Sequence, residues 1–198
     1  MMQVDWRLRG NSGFTLMELL VAVAVLGIMA AIAIPTFSVW LPNYRLGGAA
    51  RDLYSNFQFA RMNAIKSNTD WAIVFDQAST PGRYYICSGQ GANGAWDGPV
   101  AMGGDDTSEK TVNFMSYDSD GNIDLGHGNL AVDKPGNPFI AGDNVVYQGN
   151  DWVNFTPRGT CGKVGYVYLH NGKEVVFAIH TRTNGLIQLL KWNGGVWK

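Results

Sequence analysis

Glu18 stands at the edge of a long apolar run, where a carboxylate has only two outlets: water at an interface, or a cation. From Leu19 through Leu41 the chain carries no Asp, Glu, Lys or Arg. A carboxylate at mid-membrane costs on the order of 2–3 kcal/mol, so Glu18 is expected to take a partner. Charge pairing is the first chemistry the sequence offers. The other reactive residues are sparse. Cys87 and Cys161 lie far apart, with no CxxC, HxxxH or Cys–His cluster to make a metal site. His127, His170 and His180 are scattered, and no nucleophile motif accompanies them. His170 and His180 flank an Asn-Gly turn and could approach across a sheet, but turn or sheet-surface roles are the simpler reading. No phosphate-cradling glycine loop or paired catalytic carboxylates stand out. Neither enzymatic activity nor a cofactor is expected.

Two weaker constellations concern ligands. Asp118-Ser119-Asp120-Gly121-Asn122-Ile123-Asp124 alternates oxygen-bearing residues around a turn glycine, as a hard cation requires. The first position of an EF-type loop would be Ser116, and the closing bidentate Glu is missing. An Asx-type turn is therefore favoured over calcium at Asp118, Asp120 and Asp124. In the C-terminal part, Arg158, Lys163, Lys173, Arg182, Lys191 and Lys198 interleave with Trp152, Tyr166, Tyr168, Trp192 and Trp197. Basic and aromatic side chains together suit backbone-dominated binding of single-stranded nucleic acid. The charge is modest, with six basic and two acidic residues from Asn150 onward, a balance of +4. Core aromatics and solvated charges remain the simpler reading. Asp97 to Asp143 is the opposite, with nine acidic residues and two lysines, a balance of −7.

The elements that must carry these groups begin with the apolar run. About 20 apolar residues suffice to cross a bilayer as a helix, and three readings fit. Arg7 and Arg9 could head a secretory signal cut near Ala31-Ile32-Ala33. The segment could be a permanent anchor. It could also be a leader followed by a helical stem, with 14–41 in the membrane. Beyond Pro42, Leu46, Ala50, Leu53, Phe57, Ala60 and Ala64 step by four and three, the period of one buried helical face. Arg45, Asp52, Ser55, Asn56 and Lys66 are assigned to its polar side. Residues 14–66 would span about 80 Å if wholly helical, with Pro35 and Pro42 as sites of kinking or local melting.

Roughly 130 residues remain beyond the stem, enough for one core. Trp71–Phe75 and Arg83–Cys87 read as a hairpin across a Pro-Gly turn. Gly165–His170, Asn171-Gly172 and Glu174–His180 read as a second hairpin, followed by a turn at Thr183-Asn184-Gly185 into Leu186–Trp192. Residues 89–145, rich in Gly, Asp and Asn, read as an elaborated surface region. The fold class is α+β: a long N-terminal helix packed on an antiparallel β domain over 69–198, with 42–68 as the amphipathic half of the helix.

The N-terminus resembles a known family. A short basic leader ending in Gly13, then Phe14-Thr15-Leu16-Met17-Glu18, then some twenty apolar residues with Pro35, resembles type IV pilins and type II secretion pseudopilins. Ala50-Arg51-Asp52-Leu53 and Phe59-Ala60-Arg61-Met62-Asn63-Ala64-Ile65 resemble the helix of GspH/FimT-type minor members. Phe155-Thr156-Pro157-Arg158-Gly159 is similar to the Phe-x-Pro-x-Gly segment of their β domain. Leu186 departs from the pattern, since the family often has Arg there, and 90–145 shows no such likeness. The resemblance implies a pilin-like fold and removal of residues 1–13 by a prepilin peptidase between Gly13 and Phe14. It also implies N-methylation of Phe14 and pairing of Glu18 with the Phe14 amine of a neighbouring subunit. The implied location is the bacterial inner membrane, single-pass, with the β domain in the periplasm, and then a filament of other pilins or pseudopilins. A tip or initiating position is expected, with DNA uptake or a plain membrane-anchored binding domain as alternatives. In an oxidising compartment Cys87 and Cys161 are expected to form one disulfide, with two free buried thiols as the alternative.

Overall fold

The computed structural model describes residues 13–137 and 144–198. Arg7, Arg9 and the rest of the leader before Gly13 lie outside the described residues. The chain divides into two compact units that meet between Trp40 and Leu41.

Helix α1 (Leu16–Ser67) runs through both prolines with no break in its helical assignment. The expected melting at Pro35 and Pro42 is therefore not observed. A missing amide costs a helix one bond at a time, and the hydroxyls near Pro35 bond locally: Thr36 Oγ1 donates to the Ile32 carbonyl at 3.1 Å and Ser38 Oγ to that of Pro35 at 2.9 Å. The helix stops at Asn68, whose φ of +56° is the left-handed conformation common after a last turn.

From Leu46 onward α1 buries one face. All six expected positions, Leu46, Ala50, Leu53, Phe57, Ala60 and Ala64, are fully buried, and Ala49 joins them. Asn56 corrects the expectation: it is buried, not on the polar side. Its Nδ2 donates to Tyr84 Oη at 2.7 Å and its Oδ1 accepts from Lys110 Nζ at 3.1 Å. Those bonds offset the cost of burying an amide.

Two antiparallel sheets complete the second unit. The first has the order β3-β2-β1-β6, with β1 Trp71–Asp76, β2 Arg83–Gly89, β3 Thr107–Asn113 and β6 Trp152–Phe155. The second has the order β4-β7-β8-β9, with β5 (Val145–Val146) also paired to β7. Its strands are β4 Asp124–Leu125, β7 Gly165–His170, β8 Val175–Thr181 and β9 Ile187–Asn193. The expected β1–β2 hairpin and the β7–β8–β9 meander are present, each within a residue or two of its expected bounds.

The main core lies between α1 and one face of both sheets. Phe57 meets Phe75 and Phe155 at ring-centroid distances of 6.3 and 6.1 Å. Burying each such ring contributes roughly 1.5–3 kcal/mol. The opposite faces are apolar as well. Ala72, Val74, Tyr85 and Cys87 on the first sheet are covered by Trp96 from the loop after β2. Tyr168, Val176 and Ala178 on the second sheet pack with Leu130, Trp192 and Trp197. Parts of the 89–145 region thus roof the sheets, which is why β1 reads as an apolar run from Trp71 to Phe75 and is buried throughout, Asp76 included. Strand β3 is the exception, an edge strand with Val112 as its single buried residue and a register irregularity beside β2.

Candidate functional site

The N-terminal segment is built around a helix start. The Thr15 carbonyl accepts from Leu19 N at 3.2 Å, and Thr15 Oγ1 accepts from Glu18 N at 3.2 Å. Thr15 is thus the N-cap, satisfying one amide that the first turn would otherwise leave unpaired. Glu18, three residues on, places its carboxylate at the positive end of the helix dipole. Gly13 and Phe14 precede the helix, and Phe14 is 84% exposed. Phe14, Glu18, Leu19 and Ala22 line one shallow cleft. Among the described residues α1 is the one helix long and apolar enough to cross a membrane, and its most apolar 18-residue window is wholly unburied.

The other end of α1 meets two loops. Arg61 Nε donates to the Gly159 carbonyl at 2.8 Å. Gly159 has φ +73°, and a Cβ there would lie 2.9 Å from Ile65 Cδ1. Gly185, in the turn between β8 and β9, approaches so closely that its Cβ would fall 1.9 Å from the Gly159 carbonyl oxygen. The Ala-Arg run of the helix, the Phe-x-Pro-x-Gly segment and the last turn therefore form one junction. Leu186, just beyond Gly185, is exposed, and the arginine at this junction comes from the helix.

Residues 8–34 match the prokaryotic N-terminal methylation motif. Residues 49–185 match the family described as type II transport protein GspH. The chain belongs to the GspH family. The match continues through the 90–145 region, where the sequence alone shows no family likeness. No solved structure matches the chain. As a GspH-family protein it is a structural, non-catalytic, pilin-like subunit, with an N-terminal apolar helix suited to anchor it in a membrane.

The expected disulfide in this GspH-family domain is absent: Cys87 and Cys161 are both free and buried. Cys87 points to the outer face of the first sheet, under Trp96, whereas Cys161 belongs to the main core on the other side. Thiols facing opposite sides of a sheet cannot be bridged without moving backbone. Burial pushes the Cys87 thiol up to about 12, with Asp106 and Glu109 adding to the shift. Cys161 Sγ donates to the Lys163 carbonyl at 2.9 Å.

The acidic turn is spoken for by local structure. Asp118 is buried, with Oδ1 accepting from Arg45 Nη1 at 2.7 Å and Oδ2 from Asn122 Nδ2 at 2.9 Å. The Asn122 bond, with help from Arg45, holds the Asp118 carboxyl below its ordinary value. Asp124 Oδ1 accepts from the Gly82 and Leu125 amides at 2.6 and 2.7 Å, and Asp120 is exposed. A different acidic group converges: Asp97, Asp105 and Asp106 each bring a carboxylate oxygen within 4.8 Å of the other two.

The basic residues lie on several elements of the C-terminal part. Arg158 lines a groove with Asn68, Thr156, Pro157 and Thr160. Lys163 Nζ lies 3.7 Å from the centroid of the Trp152 ring, a cation–π contact. Arg182 opens the turn after β8, while Lys191 pairs by backbone with Lys198 in and after β9. Among the aromatic partners, Tyr168 is fully buried, and Trp192 and Trp197 pack on each other at 5.4 Å. His170 and His180 do not face each other. His180 sits opposite Tyr166 and stacks on it at 4.2 Å, whereas His170 sits opposite Val176. Burial lowers the pKa of both.

Proposed function

We propose that the protein enters a filament through its N-terminal helix, at or near the tip, as an assembly-initiating minor subunit. A prepilin peptidase cuts between Gly13 and Phe14, the new Phe14 amine is methylated, and the protein waits in the inner membrane with its β domain in the periplasm. On assembly, Glu18 neutralises the Phe14 amine of a neighbouring subunit. The observation that carries this reading is the bare apolar surface running from Phe14 to Trp40 with Glu18 near its start. Such a surface is stable in lipid or against like helices, where close packing of small and apolar residues replaces the solvent. A charge pair in that setting sets register, and stranding one partner costs roughly 3–5 kcal/mol. The GspH match favours the type II secretion filament over a type IV pilus.

The test is the N-terminal mass of the mature protein from its native membrane. A chain beginning at N-methylated Phe14 supports the proposal. A chain beginning at Met1 or near Ile34 overturns it.

A further inference from the structure

The loop between β2 and β3 contains a buried carboxylate with one oxygen left unpaired. Asp106 is only 5% exposed. Its Oδ2 accepts from the Gly98 amide at 2.6 Å, while its Oδ1 is buried and takes no hydrogen bond. Burial, with the neighbouring Asp97 charge, raises the pKa of this carboxyl, and the amides of Gly98, Gly91 and Asp97 only partly offset that. A buried oxygen left unpaired costs roughly 1–3 kcal/mol, more if charged.

Two further carboxylates converge on the same place. Oxygens of Asp97, Asp105 and Asp106 lie within 4.8 Å of one another. No ion pair to any of the three is present among the described residues. Three like charges at that spacing repel unless a cation sits between them. The loop holds the exposed pair in place: Asp97 Oδ2 accepts from Asn93 Nδ2 and Asp105 Oδ2 from the Ala92 amide, each at 2.6 Å. Because Asp97 and Asp105 are exposed and Asp106 is buried, an ion could enter from solvent and meet the buried oxygen last.

We propose that Asp97, Asp105 and Asp106 bind a divalent hard cation, calcium in preference to magnesium, and that the ion fixes the loop roofing the first sheet. Three carboxylates on an irregular loop, completed by water, suit the flexible coordination of calcium better than the strict octahedron of magnesium. The structural consequence runs through Trp96. It precedes Asp97 in the chain and packs under the loop against Ala72, Val74, Tyr85 and Cys87, so ordering the aspartates orders the roof. This site is separate from the Asp118–Asp124 turn and does not depend on filament assembly.

The experiment uses the full-length protein in detergent. Terbium luminescence sensitised by tryptophan reads occupancy, calcium and magnesium chloride serve as competitors, and thermal unfolding is followed with calcium or chelator. Calcium is expected to displace terbium more effectively than magnesium and to raise Tm. Asp97→Asn and Asp105→Asn, both at exposed positions, are each expected to weaken calcium binding roughly tenfold or more and to shrink the rise in Tm that calcium gives over chelator. Asp120→Asn is expected to bind as the parent does. The proposal is overturned if calcium neither displaces terbium nor raises Tm. It is equally overturned if binding survives in Asp97→Asn and Asp105→Asn or is lost in Asp120→Asn.

Discussion

Arg61 on α1 donates from Nε to the carbonyl oxygen of Gly159, 2.8 Å away and 98 positions along the chain. One charged hydrogen bond thus links the late helix to the loop after β6, at the point where the turn before β9 also presses in. Arg61→Ala is expected to destabilise the protein by about 1.5–3 kcal/mol, the range for a hydrogen bond to a charged group. Gly185→Ala is expected to cost at least as much, since its φ is +78° and its Cβ would collide with the Gly159 carbonyl. Urea unfolding of each variant in detergent checks both. Wild-type stability in either would show that the junction is incidental.

Glu18→Ala is expected to insert and be processed but to be depleted from sheared filaments, because the Phe14 amine of a neighbour is left unpaired. Gly13→Val is expected to retain the leader, because a branched side chain at the cut bond obstructs the peptidase. Mass spectrometry of membranes and filaments reads both, and normal incorporation of Glu18→Ala would remove the charge-pair argument.

Both thiols are expected to be alkylated in denaturant without reductant, and neither in the native protein. Burial keeps the Cys87 thiol protonated at neutral pH, with a pKa near 12. A mass lacking both adducts after unreduced denaturation would mean a bridge and would contradict the opposite placement of the two side chains.

Acid should destabilise the domain partly through Asp76. Burial alone would raise this carboxyl, but hydrogen bonds from Ser79 and Arg83 outweigh it and leave the pKa below its ordinary value. The unfolded chain therefore takes up the proton first as pH falls. The stabilisation is complete above the unfolded value of about 4 and is lost as pH drops through the lower folded value. Asp76→Asn is expected to flatten part of that decline in Tm–pH curves. Asp106 acts in the opposite sense. Its burial raises the pKa, so its contribution is present at low pH and lost as pH rises through the folded value.

The helix and both hairpins were legible because their signals are local. The buried stripe of α1 repeats with the helical period, and the Asn171-Gly172 turn sits between two apolar runs. The burial of Asn56 departs from its place in the sequence pattern because a polar residue on the buried face is explained only by Tyr84 and Lys110, which reach it from distant strands. Strand β3 leaves little signal in the sequence because Thr107–Asn113 offers a single buried side chain, and β4 and β5 are two residues each. The pairing of the cysteines failed for a related reason. Compartment says whether thiols oxidise, but only the side of the sheet on which each lies says whether they can meet. Likewise, Asp118, Asp120 and Asp124 have the regular spacing. The aspartates that converge are Asp97, Asp105 and Asp106, and the burial of Asp106 leaves no mark in the sequence.

The polar edge strand also bears on crowding. A filament concentrates its β domains side by side, and a sheet edge with unpaired amides and carbonyls is a template for adding a strand from the next copy. On β3, Glu109 and Lys110 are exposed and the register slips against β2 between Ile86 and Gly89. An incoming strand would have to desolvate those charges and follow an irregular ladder. That border is therefore insulated against edge-to-edge fusion between close-packed domains.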